Sequence, residues 1–247
     1  MEKIFIFIIL AVLTFVNIIV PHSGSATVSP LLALITDPHN ALGLASFYFV
    51  LSGIVRVFIF RKHIQWRYIK GLLPISLVGA VFGALSLVKI NPNILLAIIL
   101  AFLVYFVYRK IKEMTRKEIG GKKPHKLALG FVGIFSGFLQ GFGLAGSDLR
   151  NGYLYSEKLT LTEVHGTTAF IGTANFLLAT IIRLYTNQVR LVDLTILLYL
   201  LPFIVIATYI GKKVLLKINK KYTNYLILVI MIVMIILLSL KMFGIKI

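Results

Sequence analysis

In the stretch GFGLAGSDLRNGYLY (141–155), two glycines, Gly143 and Gly146, are followed by Ser147, Asp148, Arg150 and Asn151. A guanidinium, a hydroxyl and an amide all donate to an oxyanion. Free backbone N–H groups at the start of a helix do the same. Gly143 and Gly146 are expected at positive φ, which a chain reversal requires and glycine tolerates. Asp148 has two readings: a helix cap or structural partner that neutralises Arg150, or a carboxyl that takes up a proton when buried. Either way, charge in so apolar a setting is costly and usually marks function.

A second polar cluster, PHSGSATVS (21–29), offers Ser23, Gly24, Ser25 and Thr27 as further binding residues. His22 and Ser29 stand beside them, and Pro21 and Pro30 are expected to bound the break. Taken singly, each hydroxyl is more often a helix cap; as a set they can line a pocket. His165, two residues before Thr167, titrates near neutrality and is a candidate for proton coupling, against the plainer reading of a solvated interfacial histidine. Other chemistries lack their residues. There is no cysteine, no His/Cys/Glu set at metal-ligand spacing and no phosphate-binding loop. Ser147 with His165 lacks the Gly-x-Ser-x-Gly elbow of a serine hydrolase. No cofactor, metal or enzymatic activity is indicated.

These residues must be positioned by membrane helices. The chain has 247 residues, 59% of them hydrophobic, and a mean hydropathy of +0.95. Eight apolar segments, 4–20, 41–60, 69–88, 93–108, 127–142, 164–182, 191–211 and 222–243, approach the roughly 20 residues that span a bilayer. Two short ones, 26–36 and 149–155, cover half of it. The first segment reads as a retained helix rather than a signal peptide. The expected fold is all-α and polytopic: about eight transmembrane helices plus two broken, re-entrant half-helices. Gly133, Gly137 and Gly141, four apart, read as a helix-packing face. The net charge of +18 resides in loops, which points to topology and anionic lipids at the cytoplasmic face rather than nucleic acid.

A shift of 123 residues places Gly43 on Gly166, Phe47 on Phe170 and Gln65-x-Arg67 on Gln188-x-Arg190. After five inserted residues, Leu73-Pro74 falls on Leu201-Pro202. The same first shift places Ser23-Gly24-Ser25 on Gly146-Ser147-Asp148. The chain therefore reads as two repeats, 1–108 and 127–247, joined by a basic cytoplasmic loop, 109–126. That loop holds eight Lys/Arg, loop 212–221 five and loop 61–70 four, and all three are expected inside. Tracing the chain from them puts Arg183 and Arg190 in an outward-facing loop, Arg56 and Arg150 at membrane depth, and 156–163 in the cytoplasm. Trp66 reads as an interface anchor. The two repeats then run in opposite directions. Inverted repeats with two broken hairpins are the pattern of a secondary transporter whose breaks meet near the midplane.

The chain also resembles the TauE/SafE sulfite exporter family, the TSUP permeases. The residues that carry this are GFLQGFGLAGS (137–147) with EVHGTTAFIGTANF (163–176), echoed by NALGLASFYFV (40–50) and IQWRYIKGLLPISLVGAVFGA (64–84). The resemblance implies a multi-pass permease of the cell membrane for a small, sulfur-containing or other organic or inorganic anion, with proton coupling and a homo-oligomer left open. Where relatives carry a run of glycines after the break, this chain carries Gly146-Ser147-Asp148-Leu149-Arg150. Alternatives of other classes are a cation or metal-ion carrier using Asp148 and a non-transporting membrane scaffold.

Overall fold

An apolar run in lipid has no water for its peptide groups, so it must satisfy them within a helix. The computed structural model describes Thr14 and residues 24–115, 127–144, 146–215 and 220–243. Ser23, nearly all of segment 4–20 and residues 116–126 of the basic loop lie outside the described residues, as does the Ser25 side chain. The helices are α1 (Gly24–Ile35), α2 (Pro38–Phe60), α3 (Trp66–Ser86), α4 (Pro92–Thr115), α5 (Leu127–Gly141), α6 (Ser147–Ser156), α7 (Leu161–Tyr185), α8 (Leu191–Leu198), α9 (Leu201–Leu215) and α10 (Lys220–Met242). The protein is all-α, with no strand among the described residues. Pro38–His63, Trp66–Lys89, Pro92–Lys112, Leu161–Tyr185 and Tyr225–Met242 are long and apolar enough to cross a membrane, while Leu129–Gly141 and Leu201–Gly211 are shorter apolar helices.

Local chemistry sets the helix ends. Asp37 caps α2 by accepting from the backbone of His39 and Asn40. Thr160 and Glu163 form a reciprocal capping box at the start of α7. Lys158 (φ 64°) and Asn187 (φ 57°) end α6 and α7 in the left-handed region. Each is followed by a backbone bond spanning five residues, Leu159 to Leu154 and Gln188 to Arg183, which satisfies a terminal carbonyl. Two expectations are corrected here. Pro30 does not bound the first break: α1 starts at Gly24 and runs through it. Segment 191–211 is not one helix either. It breaks between α8 and α9, where Pro202 has no N–H to donate and disfavours helical geometry at Leu201.

The most extensive packing joins α3 to α5 and α2 to α7. Small residues explain the first. A Cβ on Gly137 would run into the Ser76 carbonyl and one on Gly141 into that of Ala80. From the other side, a Cβ on Gly79 or Gly83 would strike the Ile134 or Phe138 carbonyl. The two backbones therefore touch, as small residues four apart allow. Between α2 and α7, Gly53 leaves room for Thr173. The short helix α6 is held from one side by apolar packing of Leu154 on Ile69, Leu72 and Ile171. The start of α7 follows that of α2 by 123 residues, 161 against 38. Phe58, Phe82, Phe131 and Ile236 are among the apolar side chains left exposed, as a lipid-facing surface requires.

Candidate functional site

The second break is a helix stop followed at once by a helix start. α5 ends as Gly143 enters the left-handed region (φ 88°), with Leu144 N–H bonded back to the Leu139 carbonyl at 2.7 Å. Gly146 is different from the expectation: its φ is −80°, so no backbone strain calls for glycine there. A Cβ at that position would run into the Ser136 carbonyl, so close approach to α5 is the reason. α6 then opens with Ser147, partly exposed, and Asp148, buried in its first turn. A carboxylate there is favoured by the N–H end of the helix dipole.

Arg150, on the next positions of α6, is fully buried. Its Nη1 donates to Gln140 Oε1 at 2.7 Å and to Ser136 Oγ at 3.4 Å. Gln140 Oε1 also accepts from Asn175 Nδ2 at 2.8 Å, and Asn175 Oδ1 accepts from Ser76 Oγ at 3.2 Å. The remaining guanidinium nitrogens, Nε and Nη2, are buried and have no hydrogen-bond partner among the described residues. They form one edge of a planar fork, the arrangement that takes two oxygens of an oxyanion. Asp148 is near enough for its charge to act on Arg150. Asn151, next in α6, accepts from Thr168 Oγ1 at 2.7 Å, which pins α6 to α7.

The structure thus brings together Gly143, Gly146, Ser147, Asp148, Arg150 and Asn151. Contact from the first break comes through α1: Ser29 Oγ donates to the Gly143 carbonyl at 2.7 Å, and Thr27 is fully buried two residues earlier. Gly24 and Ser25 form the first turn of the same helix. His165 stands apart. Its ring stacks on Phe60 at 5.8 Å, near where Gln65 N–H donates to Thr167 Oγ1 at 3.0 Å. It precedes Gly172, the α7 residue beside Arg150, by seven positions, about 10 Å along a helix axis.

Several polar residues of this region escape a reading of the sequence. Gln140, Asn175, Ser76, Ser136 and Thr168 are scattered over three apolar helices, α3, α5 and α7, and only packing reveals which of them meet. The available signal was an uncharged polar side chain mid-span; Gln140 and Asn175 both stand inside the segments quoted above. Arg183 is a correction. It does not lie in an outward loop but in the last turn of α7, fully buried. Its Nη1 donates to the Leu42 carbonyl at 2.7 Å and to Ser46 Oγ, and its Nη2 donates to the Gly141 carbonyl at 2.7 Å. The last carbonyls of α5 have no intrahelical partner. Arg183 supplies one and places a cation at the negative end of the helix dipole.

The sequence model of the sulfite exporter TauE/SafE family matches residues 5–241. The chain belongs to the TauE/SafE family. Members of this family are membrane transporters and not enzymes, which agrees with helices long and apolar enough to span. No curated protein and no solved structure matches the chain. Within this TauE/SafE chain, the match covers both breaks and all the polar residues of the Arg150 network.

Proposed function

We propose that this TauE/SafE protein is a multi-pass permease of the cell membrane that carries a small sulfur-containing or other small organic or inorganic anion, bound at Arg150. The observation that carries this reading is the unpartnered Nε/Nη2 edge of a guanidinium that is wholly buried. Leaving two buried donors unmade costs several kcal/mol in total, and an oxyanion that accepts from both removes the cost. Gly143, Gly146, Ser147 and Asn151 shape the break around it, with Ser23, Gly24, Ser25 and Thr27 contributing from the first break. Asp148 takes up a proton, which removes its negative charge from beside Arg150, frees Arg150 for the anion and so couples anion movement to the proton gradient; His165 carries protons at the inner end. The frame is a pair of inverted repeats, 1–108 and 127–247. Support comes from the 123-residue offset between the starts of α2 and α7 and from the packing of these two helices on each other. Arg61, Lys62, Arg67 and Lys70 are exposed beside exposed Trp66 and attract anionic lipid at the cytoplasmic face.

The test is thermal unfolding of the purified protein with sulfite, sulfate, thiosulfate, methanesulfonate and acetate. A ligand of the folded state raises its apparent stability. Wild-type protein is stabilised by at least one of these anions, and Arg150→Gln abolishes the shift. Stabilisation by divalent cations alone, lost in Asp148→Asn, would instead support a cation carrier.

A further inference from the structure

An amide side chain has a donor end and an acceptor end, and its surroundings decide which way it faces. Arginine has no acceptor. The Gln140 atom 2.7 Å from Arg150 Nη1 is therefore the carbonyl oxygen, and Asn175 Nδ2 gives that same oxygen a second bond at 2.8 Å. Asn175 turns its amide nitrogen to the Gln140 oxygen because that oxygen can only accept, and its Oδ1 then lies 3.2 Å from Ser76 Oγ. Four helices, α3, α5, α6 and α7, each contribute one member. With its oxygen doubly engaged, Gln140 presents Nε2 in the other direction, and that nitrogen makes no hydrogen bond among the described residues.

Gly172 shows where Nε2 faces. A Cβ added there would lie 3.3 Å from Gln140 Nε2 and 3.4 Å from Arg150 Nη2. Both donors therefore border the same small space on the face of α7, which residue 172 keeps open by having no side chain. Arg150 Nε belongs to the same edge as Nη2 and is likewise unpartnered.

We propose that Gln140 is a specificity-determining residue of the Arg150 site, held donor-outward by Arg150 and Asn175, so that the site prefers anions with three acceptor oxygens on one centre over two-oxygen carboxylates. This rests on the reading of Arg150 as the anion ligand. The arginine edge accommodates two oxygens; the Gln140 amide is the donor for a third. A carboxylate uses the arginine edge and leaves Nε2 unbonded.

The experiment is titration calorimetry of the purified full chain with methanesulfonate and with acetate at one pH. Wild-type protein binds methanesulfonate more tightly. Gln140→Met weakens methanesulfonate by about tenfold, the worth of one hydrogen bond to a charged group, and acetate by less than about threefold. Asn175→Leu, which touches no ligand but unlocks the amide, shifts the ratio of the two affinities in the same direction. Gln140→Asn, which keeps an amide but withdraws it by one methylene, gives the same loss of preference if Gln140→Met does not fold. Equal effects on both anions, no effect on either, or a wild-type protein without preference overturns the proposal, provided Arg150→Gln abolishes both affinities. If Arg150→Gln leaves both unchanged, the anion-site reading itself falls and this proposal falls with it.

Discussion

Ser29 and Gly143 are 114 residues apart in sequence, and the serine hydroxyl donates to the glycine carbonyl at 2.7 Å. This one bond joins α1 to the turn between α5 and α6. The carbonyl belongs to the turn after α5 and has no helical partner of its own, so the hydroxyl satisfies a buried acceptor. Ser29→Ala is expected to destabilise the protein by about 1 kcal/mol, seen as a lowering of Tm by roughly 2–4 °C in detergent. An unchanged Tm would mean that the two breaks are not energetically joined.

Three glycines of the second hairpin separate two physical reasons for lacking a side chain from a position that has neither. Gly143→Ala forces an L side chain to φ 88° and costs about 1–2 kcal/mol in backbone strain. Gly146→Ala has an ordinary φ, but its methyl meets the Ser136 carbonyl, which belongs to α5 and cannot yield without moving the helix; overpacking of this kind costs about 1–3 kcal/mol. Gly152 lies within α6 with no atom within 4 Å of an added Cβ. Gly152→Ala is therefore expected to be neutral or to stabilise by up to about 1 kcal/mol. Thermal unfolding of the three variants side by side checks the order.

Arg183 ties three chain segments together: α7 which bears it, Leu42 and Ser46 on α2, and Gly141 at the end of α5. Arg183→Met leaves those carbonyls without a donor and is expected to cost about 2–4 kcal/mol. Arg183→Lys recovers only part, since a single ammonium lacks the planar fork that reaches both sides of the break. Tm and the yield of folded protein report both effects.

Asp148 is the charge placed to compete with the ligand for Arg150. In proteoliposomes, Asp148→Asn is expected to retain anion uptake driven by the anion's own gradient and to lose acceleration by an inward proton gradient. Proton-driven accumulation that persists in this variant removes Asp148 from coupling.

Much of the helical layout was legible because its causes are local. An apolar run of a given length must be a helix in lipid, whatever lies beside it. The stop at Gly143 and the start of α6 follow from glycine at the turn and polar residues after it. The short helix read as 149–155 is α6, Ser147–Ser156, and Arg150 stood out as a charge among apolar neighbours. The misread elements were both prolines whose effect the sequence leaves open: Pro30 lies within α1, whereas Pro202 coincides with the division of α8 from α9.

The sequence by itself determined the membrane class, most helix limits, the place of the second break and the presence of Arg150 beside Asp148. Only the tertiary structure decided that Gln140, Asn175 and Ser76 form one chain ending on Arg150, that Gly146 is small for contact rather than for conformation, and that Arg183 is buried at a helix end rather than exposed in a loop. The physical reason is range. Hydropathy and backbone strain act over a few residues and leave their mark in the local pattern. Which face a lone polar side chain turns inward depends on how closely two helices approach. That approach is set by backbone contacts such as Gly137 on Ser76, between residues far apart in the chain.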